Sequence, residues 1–138
     1  MRPGPGRARE HRGPRARGAR ERGSSTIEMV FLLPALFTLM FAGVQAGLWY
    51  QARAVAYAAA QEGVRAAAAE NGSAYAGSAA ASDYLADVGA ELSVRNVVPQ
   101  RTLTEARVTV TVQAQSIVPL WNPEISQTAS LPVERLTG

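Results

Sequence analysis

Three residues near the N-terminus have the clearest chemical potential: a glycine–serine junction, Gly23 and Ser24, and a carboxylate, Glu28, four residues after the serine. Glu28 directly precedes a run of 22 uncharged residues, Met29 to Tyr50. Burying an unpaired carboxylate in hydrocarbon costs several kcal/mol, so acids in membrane helices usually have a partner or a function. We therefore interpret Glu28 as a functional residue.

Cleavage of the chain after Gly23 would give Glu28 a suitable partner. The new α-amine at Ser24 would be largely protonated, because such amines have pKa values of about 7.7–8.0. The amine of one copy could pair with Glu28 of a neighbour, which would neutralise the carboxylate and fix the axial stagger of two helices. The alternative is that Glu28 is a snorkelling interfacial acid in a simple membrane anchor.

The uncharged run at 29–50 is long enough to cross a membrane. About 20 apolar residues span a hydrocarbon core of ~30 Å at ~1.5 Å per residue. The eight arginines of residues 1–23 predict a cytoplasmic N-terminus by the positive-inside rule. Trp49 and Tyr50 end the run, where amphipathic rings suit the outer interface. We expect a single-pass protein of the cytoplasmic membrane with its C-terminal domain outside.

Residues 1–23 form a basic leader. They contain eight arginines, two glutamates and almost no large apolar side chain, whereas the remaining residues carry six arginines and nine acids. A segment of this composition cannot offset its ordering entropy, so we expect the leader to be disordered. Nucleic-acid binding is not favoured, because no aromatic residue lies between the arginines.

No catalytic or metal-binding pattern is present in the sequence. His11 is the only histidine and the chain has no cysteine, which excludes a histidine-based triad and a thiolate metal site. Asp83 and Asp87 have helical i,i+4 spacing but lack a third ligand, so a solvated helix face is the favoured interpretation. We expect no enzymatic activity, no cofactor and no metal.

Two helices are predicted. The first continues beyond the membrane run through an alanine-rich segment and ends at Asn71-Gly72, which makes a helix of about 47 residues and ~70 Å from Ser24 to Glu70. A second, shorter helix is predicted over Gly77 to Ala90. The apolar stripe that we predict on the outer part of the first helix consists of Tyr50, Ala54, Tyr57, Gln61, Val64 and Ala68.

The C-terminal part changes to a period of two. Arg107 to Gln115 alternates valine or alanine with polar residues and predicts a half-buried strand. Ile125 to Val133 repeats this pattern more weakly, and Leu92 to Val98 is a plausible third strand. The fold class is therefore α+β: a long N-terminal helix, a short second helix and a small antiparallel sheet whose apolar face the helices cover.

Two features within the membrane run bear on the helix itself. Pro34 removes one backbone hydrogen bond and predicts a helix kink. Gly43 and Gly47 have the spacing that lets membrane helices approach closely, so they are a possible helix–helix contact. Gln45 lies between them and could hydrogen-bond to another helix.

At its N-terminal junction the chain resembles the prepilin class. Gly23-Ser24 followed by Glu28 matches the prepilin-peptidase motif, a glycine cleavage site with glutamate at mature position five. Within the class it is most similar to the TadE-like pseudopilins of the Tad (Flp) tight-adherence type IV pilus system. The resemblance rests on Arg22 to Met29 with Pro34, on Gly47 to Arg53, on Gln61 to Arg65, and on the closing segment Ile125 to Glu134.

The resemblance implies cleavage by a prepilin peptidase, N-methylation of Ser24 and a role for Glu28 in assembly. It implies a minor subunit in Tad pilus assembly, adhesion or secretion, because the major pilins of the family are far shorter. Its partners would be the peptidase, other pilin or pseudopilin subunits, the Tad assembly machinery and membrane lipid, and its location would include the pilus or cell surface. The alternative is a signal-anchored protein whose external domain binds a surface partner without forming a filament.

These expectations divide the chain into four parts. Residues 1–23 are a cleaved leader, 24–50 the transmembrane helix, 51–71 a projecting helical arm and 72–138 a small extracytoplasmic α+β domain.

Overall fold

The structure is a computed structural model that describes residues 1, 4, 18–89 and 92–134, with the backbone alone over 18–25. Its elements, in chain order, are α1 (Gly18–Ala68), α2 (Ala74–Val88), β1 (Ser93–Arg101), β2 (Glu105–Gln113) and β3 (Glu124–Pro132). They form two compact units, Met1–Thr38 and Leu39–Gly138, with the boundary inside α1. The predicted α+β class is confirmed.

The helix α1 begins earlier than predicted. It starts at Gly18 and not at Ser24, so the expectation of a disordered leader is wrong for 18–23. Arginine, alanine and glutamate dominate this stretch and are good helix formers, and extending an existing helix avoids the cost of nucleation. The rest of the leader lies outside the described residues, apart from residues 1 and 4, and so does His11.

In the first unit, α1 is continuous through Pro34. The hydroxyl of Thr38 donates a hydrogen bond to the Pro34 carbonyl oxygen at 2.8 Å. Large apolar side chains are exposed all around this part of α1, which no other described element covers: Ile27, Met29, Val30, Phe31, Leu32, Leu33, Leu36 and Phe37.

The second unit is a helix-backed sheet with strand order β1-β2-β3, both pairs antiparallel. Val108, Val110 and Val112 are fully buried on one face of β2, as its alternation predicted. On the opposite face, hydroxyl pairs join β2 to β3 at 2.8 Å, Thr109 with Thr128 and Thr111 with Ser126. One face is thus core and the other a polar surface.

The part of α1 that covers this core consists of small residues. Its buried positions are Ala52, Ala56, Ala59, Ala60, Gly63, Val64, Ala67 and Ala68. The predicted stripe is therefore wrong over its first half: Tyr50 and Tyr57 are exposed, and only Val64 and Ala68 of that set are buried. Short side chains let the helix backbone come close to the sheet, whereas tyrosine rings would hold it away.

The helix α2 begins three residues before the predicted Gly77 because Ser73 caps it. The Ser73 side chain accepts a hydrogen bond from the Ala76 N–H at 3.0 Å, in the extended conformation usual for an N-cap. At the other end, the Gly89 N–H donates to the Leu85 carbonyl oxygen at 2.8 Å. Ala90, the predicted last residue, lies outside the described residues.

Candidate assembly site on the N-terminal helix

The junction residues and the carboxylate lie on one helix. Gly23, Ser24 and Glu28 all fall within α1. A spacing of four residues places Ser24 and Glu28 on the same face, about 6 Å apart along the axis. The cleavage site predicted from the sequence is therefore helical in the uncleaved chain.

Glu28 is exposed in an apolar setting. Its neighbours Ile27 and Phe31 are 63% and 74% exposed, so the carboxylate stands on a surface that is otherwise hydrocarbon. The ion pairs formed among the described side chains are Arg65–Glu62 and Arg107–Glu105; Glu28 takes part in neither. The arrangement leaves Glu28 accessible to a cation from a second chain.

The apolar part of α1 is long enough to serve as a membrane anchor. The helical segment Thr26–Ala68 contains a window with mean hydropathy 2.1, and none of that window is buried by the rest of the protein. A core helix of a folded domain would be covered by other elements. These properties fit a single-pass membrane anchor.

The two glycines predicted to make a helix–helix contact face open space within the chain. A Cβ atom added to Gly43 or to Gly47 would meet nothing within 4 Å. Their surface is thus not used by the chain's own fold, and the contact with another helix stays a prediction.

A different pair of glycines, missed in the sequence analysis, makes a close helix crossing. A Cβ on Gly63 would lie 2.7 Å from the Gly77 carbonyl oxygen, and a Cβ on Gly77 would lie 2.8 Å from Ala67 Cβ. Glycines at both positions therefore let α1 and α2 touch backbone to backbone. The available signal was Gly63 inside the first predicted helix, since such a glycine costs ~1 kcal/mol relative to alanine and needs a packing reason.

Gln45 has a role that the sequence did not reveal. It is 7% exposed, and its Oε1 accepts hydrogen bonds from the Ile117 N–H at 3.0 Å and the Ser116 hydroxyl at 3.2 Å. Its Nε2 donates to the Gln115 carbonyl oxygen at 3.5 Å. The amide that was expected to bond to another helix instead holds the loop that follows β2.

The carboxylates of α2 do not assemble a metal site. Asp83 and Asp87 are both exposed. No group of three histidine, cysteine, aspartate or glutamate side chains comes together within 18–89 and 92–134.

Comparison with known proteins gives a family similarity for the N-terminal part of the chain. The family model described as TadE-like protein matches residues 23–65, a stretch that holds every site residue predicted from the sequence. No curated protein and no solved structure gives a significant match. The match supports the association with Tad pili that the resemblance implies. Residues 23–65 of this chain are thus a TadE-like segment, and it begins at the glycine of the predicted cleavage site.

Proposed function

We propose that the protein is a minor pilin or pseudopilin of a Tad-type pilus and acts as a structural subunit, not as an enzyme. A prepilin peptidase removes residues 1–23, and the mature protein takes part in pilus assembly, adhesion or secretion. The observation that carries the proposal is the TadE-like match, which begins at Gly23 and includes an exposed carboxylate, Glu28, on an apolar helix.

The assembly step that we propose is an ion pair between subunits. Removal of residues 1–23 leaves a protonated amine at Ser24, and Glu28 of an adjacent subunit accepts it. Within hydrocarbon both groups are costly when alone, and a charge-assisted hydrogen bond between them offsets part of that cost. Because the pair forms only when two helices are offset by about one turn, it also selects the axial stagger.

The basic leader serves topology in this proposal. Its eight arginines keep the N-terminus in the cytoplasm, so residues 51–138 lie on the outer side of the membrane. Cleavage then removes the leader's net charge of about +6 from the assembling end. A subunit that kept this charge would repel its neighbours at the same place where the amine and carboxylate must meet.

The experiment is intact-mass analysis of the protein extracted from membranes, with and without a co-expressed prepilin peptidase. We expect a loss of residues 1–23 with the peptidase, together with the added mass of one methyl group. Gly23→Phe should keep the leader, because a bulky side chain replaces the small residue at the cleavage site. Gly18→Phe, within the leader, is the matched control and should still be cleaved.

The alternative, a signal-anchored protein that binds a surface partner, gives a different result. It predicts that the wild-type mass and N-terminal sequence are unchanged by the peptidase. If sequencing of the membrane-extracted wild type still finds Arg22 after co-expression, the pilin proposal fails.

A further inference from the structure

The loop between β2 and β3 exposes an apolar tip. Ile117 and Val118 are 42% and 47% exposed, Trp121 is 50% exposed and Leu120 is 102% exposed. The stretch 114–123 carries no charged residue. Loops on a water-facing domain are normally polar at the tip, and clustered exposed apolar side chains mark an interaction surface.

This loop contains a strained residue and a hydrogen-bonded turn. Of the non-glycine residues that the structure describes, only Leu120 has a positive φ, 66°. A leucine in this region is strained, and such strain persists where the surroundings enforce it. The Ser116 hydroxyl oxygen accepts from the Val118 N–H at 3.0 Å, and the Trp121 N–H donates to the Val118 carbonyl oxygen at 3.3 Å. The loop therefore presents the Leu120 side chain outward at a conformational cost.

Gln45 ties the loop to the apolar part of α1. Its three hydrogen bonds reach the segment 115–117, and Gln45 itself lies inside the uncharged run 29–50. In the same unit, the exposed apolar residues Leu39, Met40, Phe41 and Val44 come just before Gln45 on α1. The loop is thus at the level where the membrane-length run gives way to the folded domain.

Aromatic and charged residues of α1 also indicate that the edge of the membrane lies near Gln45. Trp49 lies about 6 Å beyond Gln45 along the axis. The Arg53 guanidinium, the first charged group after the run, stands 5.6 Å from the centre of the Trp49 ring. Aromatic rings collect at membrane interfaces and charges lie on their aqueous side.

We propose that residues 116–121 form a membrane-contacting loop that inserts Leu120 and Trp121 into the lipid interface on the side where α1 leaves the bilayer. Gln45 makes this possible, because irregular backbone at that depth must have its polar groups satisfied within the protein. The hydrocarbon span then ends near Gln45 and not at Tyr50. The partner is lipid because the tip is uncharged, contains tryptophan and adjoins the apolar run. The proposal needs the membrane anchor but not the pilus function.

Tryptophan quenching in the full chain tests the proposal, since Trp49 and Trp121 are the only two tryptophans. The protein is reconstituted into phosphatidylcholine vesicles with brominated acyl chains. Trp49→Phe leaves Trp121 as the reporter, and Trp121→Phe leaves Trp49. The control for the far end of the domain is Tyr75→Trp with both tryptophans replaced by phenylalanine. Tyr75 is 82% exposed and lies in the first turn of α2. Gly77 of this helix meets Gly63, which is ~27 Å beyond Gln45 along α1.

We expect bromolipid to quench Trp121 to within about twofold of Trp49, while the tryptophan at position 75 is quenched mainly by aqueous iodide. Quenching of Trp121 by iodide at the level of position 75 overturns the proposal. The proposal is also overturned if Trp121 is shielded from iodide only at a high protein-to-lipid ratio, because that result identifies a second copy of the protein as the partner.

Two further variants separate lipid contact from simple loop stability. Leu120→Gly relieves the positive φ and should raise the unfolding temperature slightly, yet it should lower the quenching of Trp121 by bromolipid severalfold. Gln45→Leu should insert into the membrane as well as the matched control Gln51→Leu, but only Gln45→Leu should change the quenching depth of Trp121. If Leu120→Gly and Gln45→Leu both leave the quenching unchanged, the loop does not bind lipid in the proposed way.

Discussion

Glu28 differs in its surroundings from the two acids that form ion pairs in the described chain, Glu62 and Glu105. Glu62 is exposed and Glu105 is half-buried, and each is paired with an arginine, whereas Glu28 is exposed among apolar side chains of α1. When α1 is in a bilayer, the carboxylates of Glu62 and Glu105 stay hydrated, whereas the carboxylate of Glu28 loses part of its hydration. Its chemistry therefore depends on what a second subunit brings.

We predict that Glu28 acts in assembly and not in insertion. Glu28→Ala should enter membranes at least as well as the wild type, because it removes a charge from the apolar segment. Its association should fall by about tenfold or more, since a hydrogen bond to a charged group contributes ~1.5–3 kcal/mol. Glu28→Gln should fail similarly, and Glu28→Asp should be intermediate because its reach is shorter.

The measurement is crosslinking of subunits in membranes that contain the prepilin peptidase. Glu62→Ala on the same helix is the control and should associate normally. Normal association of both Glu28→Ala and Glu28→Gln would contradict the intersubunit pair. Two explanations would then remain. Glu28 would belong to a simple membrane anchor, or it would pair with the Ser24 amine of its own chain, which the placement of both residues on one helix face also permits.

At the scale of elements, the crossing of α1 and α2 depends on two glycines. Gly63→Ala places a methyl group 2.7 Å from a backbone oxygen and 3.2 Å from Val108. Overpacking of this kind costs ~1–3 kcal/mol, which outweighs the gain of up to ~1 kcal/mol in helix propensity. We expect the unfolding temperature in detergent to fall by ~3–8 °C.

The matched control for this change is Gly47→Ala on the same helix. Its added methyl meets nothing within 4 Å, so the unfolding temperature should stay constant or rise. If Gly63→Ala and Gly47→Ala change the unfolding temperature equally, the close crossing of α1 and α2 does not stabilise the second unit. Subunit association of Gly47→Ala, measured on the same samples, reports separately on the predicted helix–helix contact.

The C-terminal end of α1 is capped by a residue from the sheet. The Arg101 guanidinium of β1 donates hydrogen bonds to the carbonyl oxygens of Ala67 and of Ala69, the latter at 3.0 Å. The Glu134 N–H donates to the Ala68 carbonyl oxygen at 3.0 Å. A cation at this end also interacts favourably with the helix dipole. The end of α1 is therefore joined to the sheet by polar contacts as well as by the core.

We predict that Arg101→Ala destabilises the second unit by ~1.5–3 kcal/mol, the usual loss for hydrogen bonds to a charged group. Arg101→Lys should recover only part of this, because an ammonium cannot reproduce the planar guanidinium geometry. Chemical denaturation of the detergent-solubilised protein measures both. Arg65→Ala, which breaks an exposed pair at 3.5 Å, is the control and should cost ~0.5 kcal/mol or less. Equal losses for Arg101→Ala and Arg65→Ala would argue against the cap.

At the scale of the whole molecule, the anchor helix and the domain core share residues. The segment 52–68 of α1 contributes seven of the fifteen buried residues in the hydrophobic cluster. The predicted boundary between a projecting arm at 51–71 and a separate domain at 72–138 thus divides one core. The arm therefore contributes to the stability of the domain.

We predict that a chain beginning at Gln51 unfolds cooperatively and one beginning at Gly72 does not. The shorter chain loses the cover of Val108, Val110 and Val112, and a sheet with a bare apolar face is not independently stable. Thermal unfolding followed by circular dichroism compares the two. Equal melting temperatures would show that α1 adds nothing to the core.

The sequence by itself determined those features that depend on local pattern. Period-two alternation at 107–115 identified β2 within two residues. An uncharged run preceded by Gly23, Ser24 and Glu28 identified the segment that the TadE-like family model matches. Such signals are strong because the periodicity of a helix or strand decides which of its side chains point to the same face. The class of the fold follows from them, since one apolar sheet face requires a helical cover.

Only the tertiary structure decided which faces meet. The alanines of α1 pack on the sheet in place of Tyr50 and Tyr57, because close approach of backbones depends on the shape of both partners. Arg101 caps a helix that ends more than 30 residues earlier, and Gln45 holds a loop 70 residues later. A hydrogen bond between distant segments leaves no periodic trace in either one, so no local pattern could have predicted these contacts.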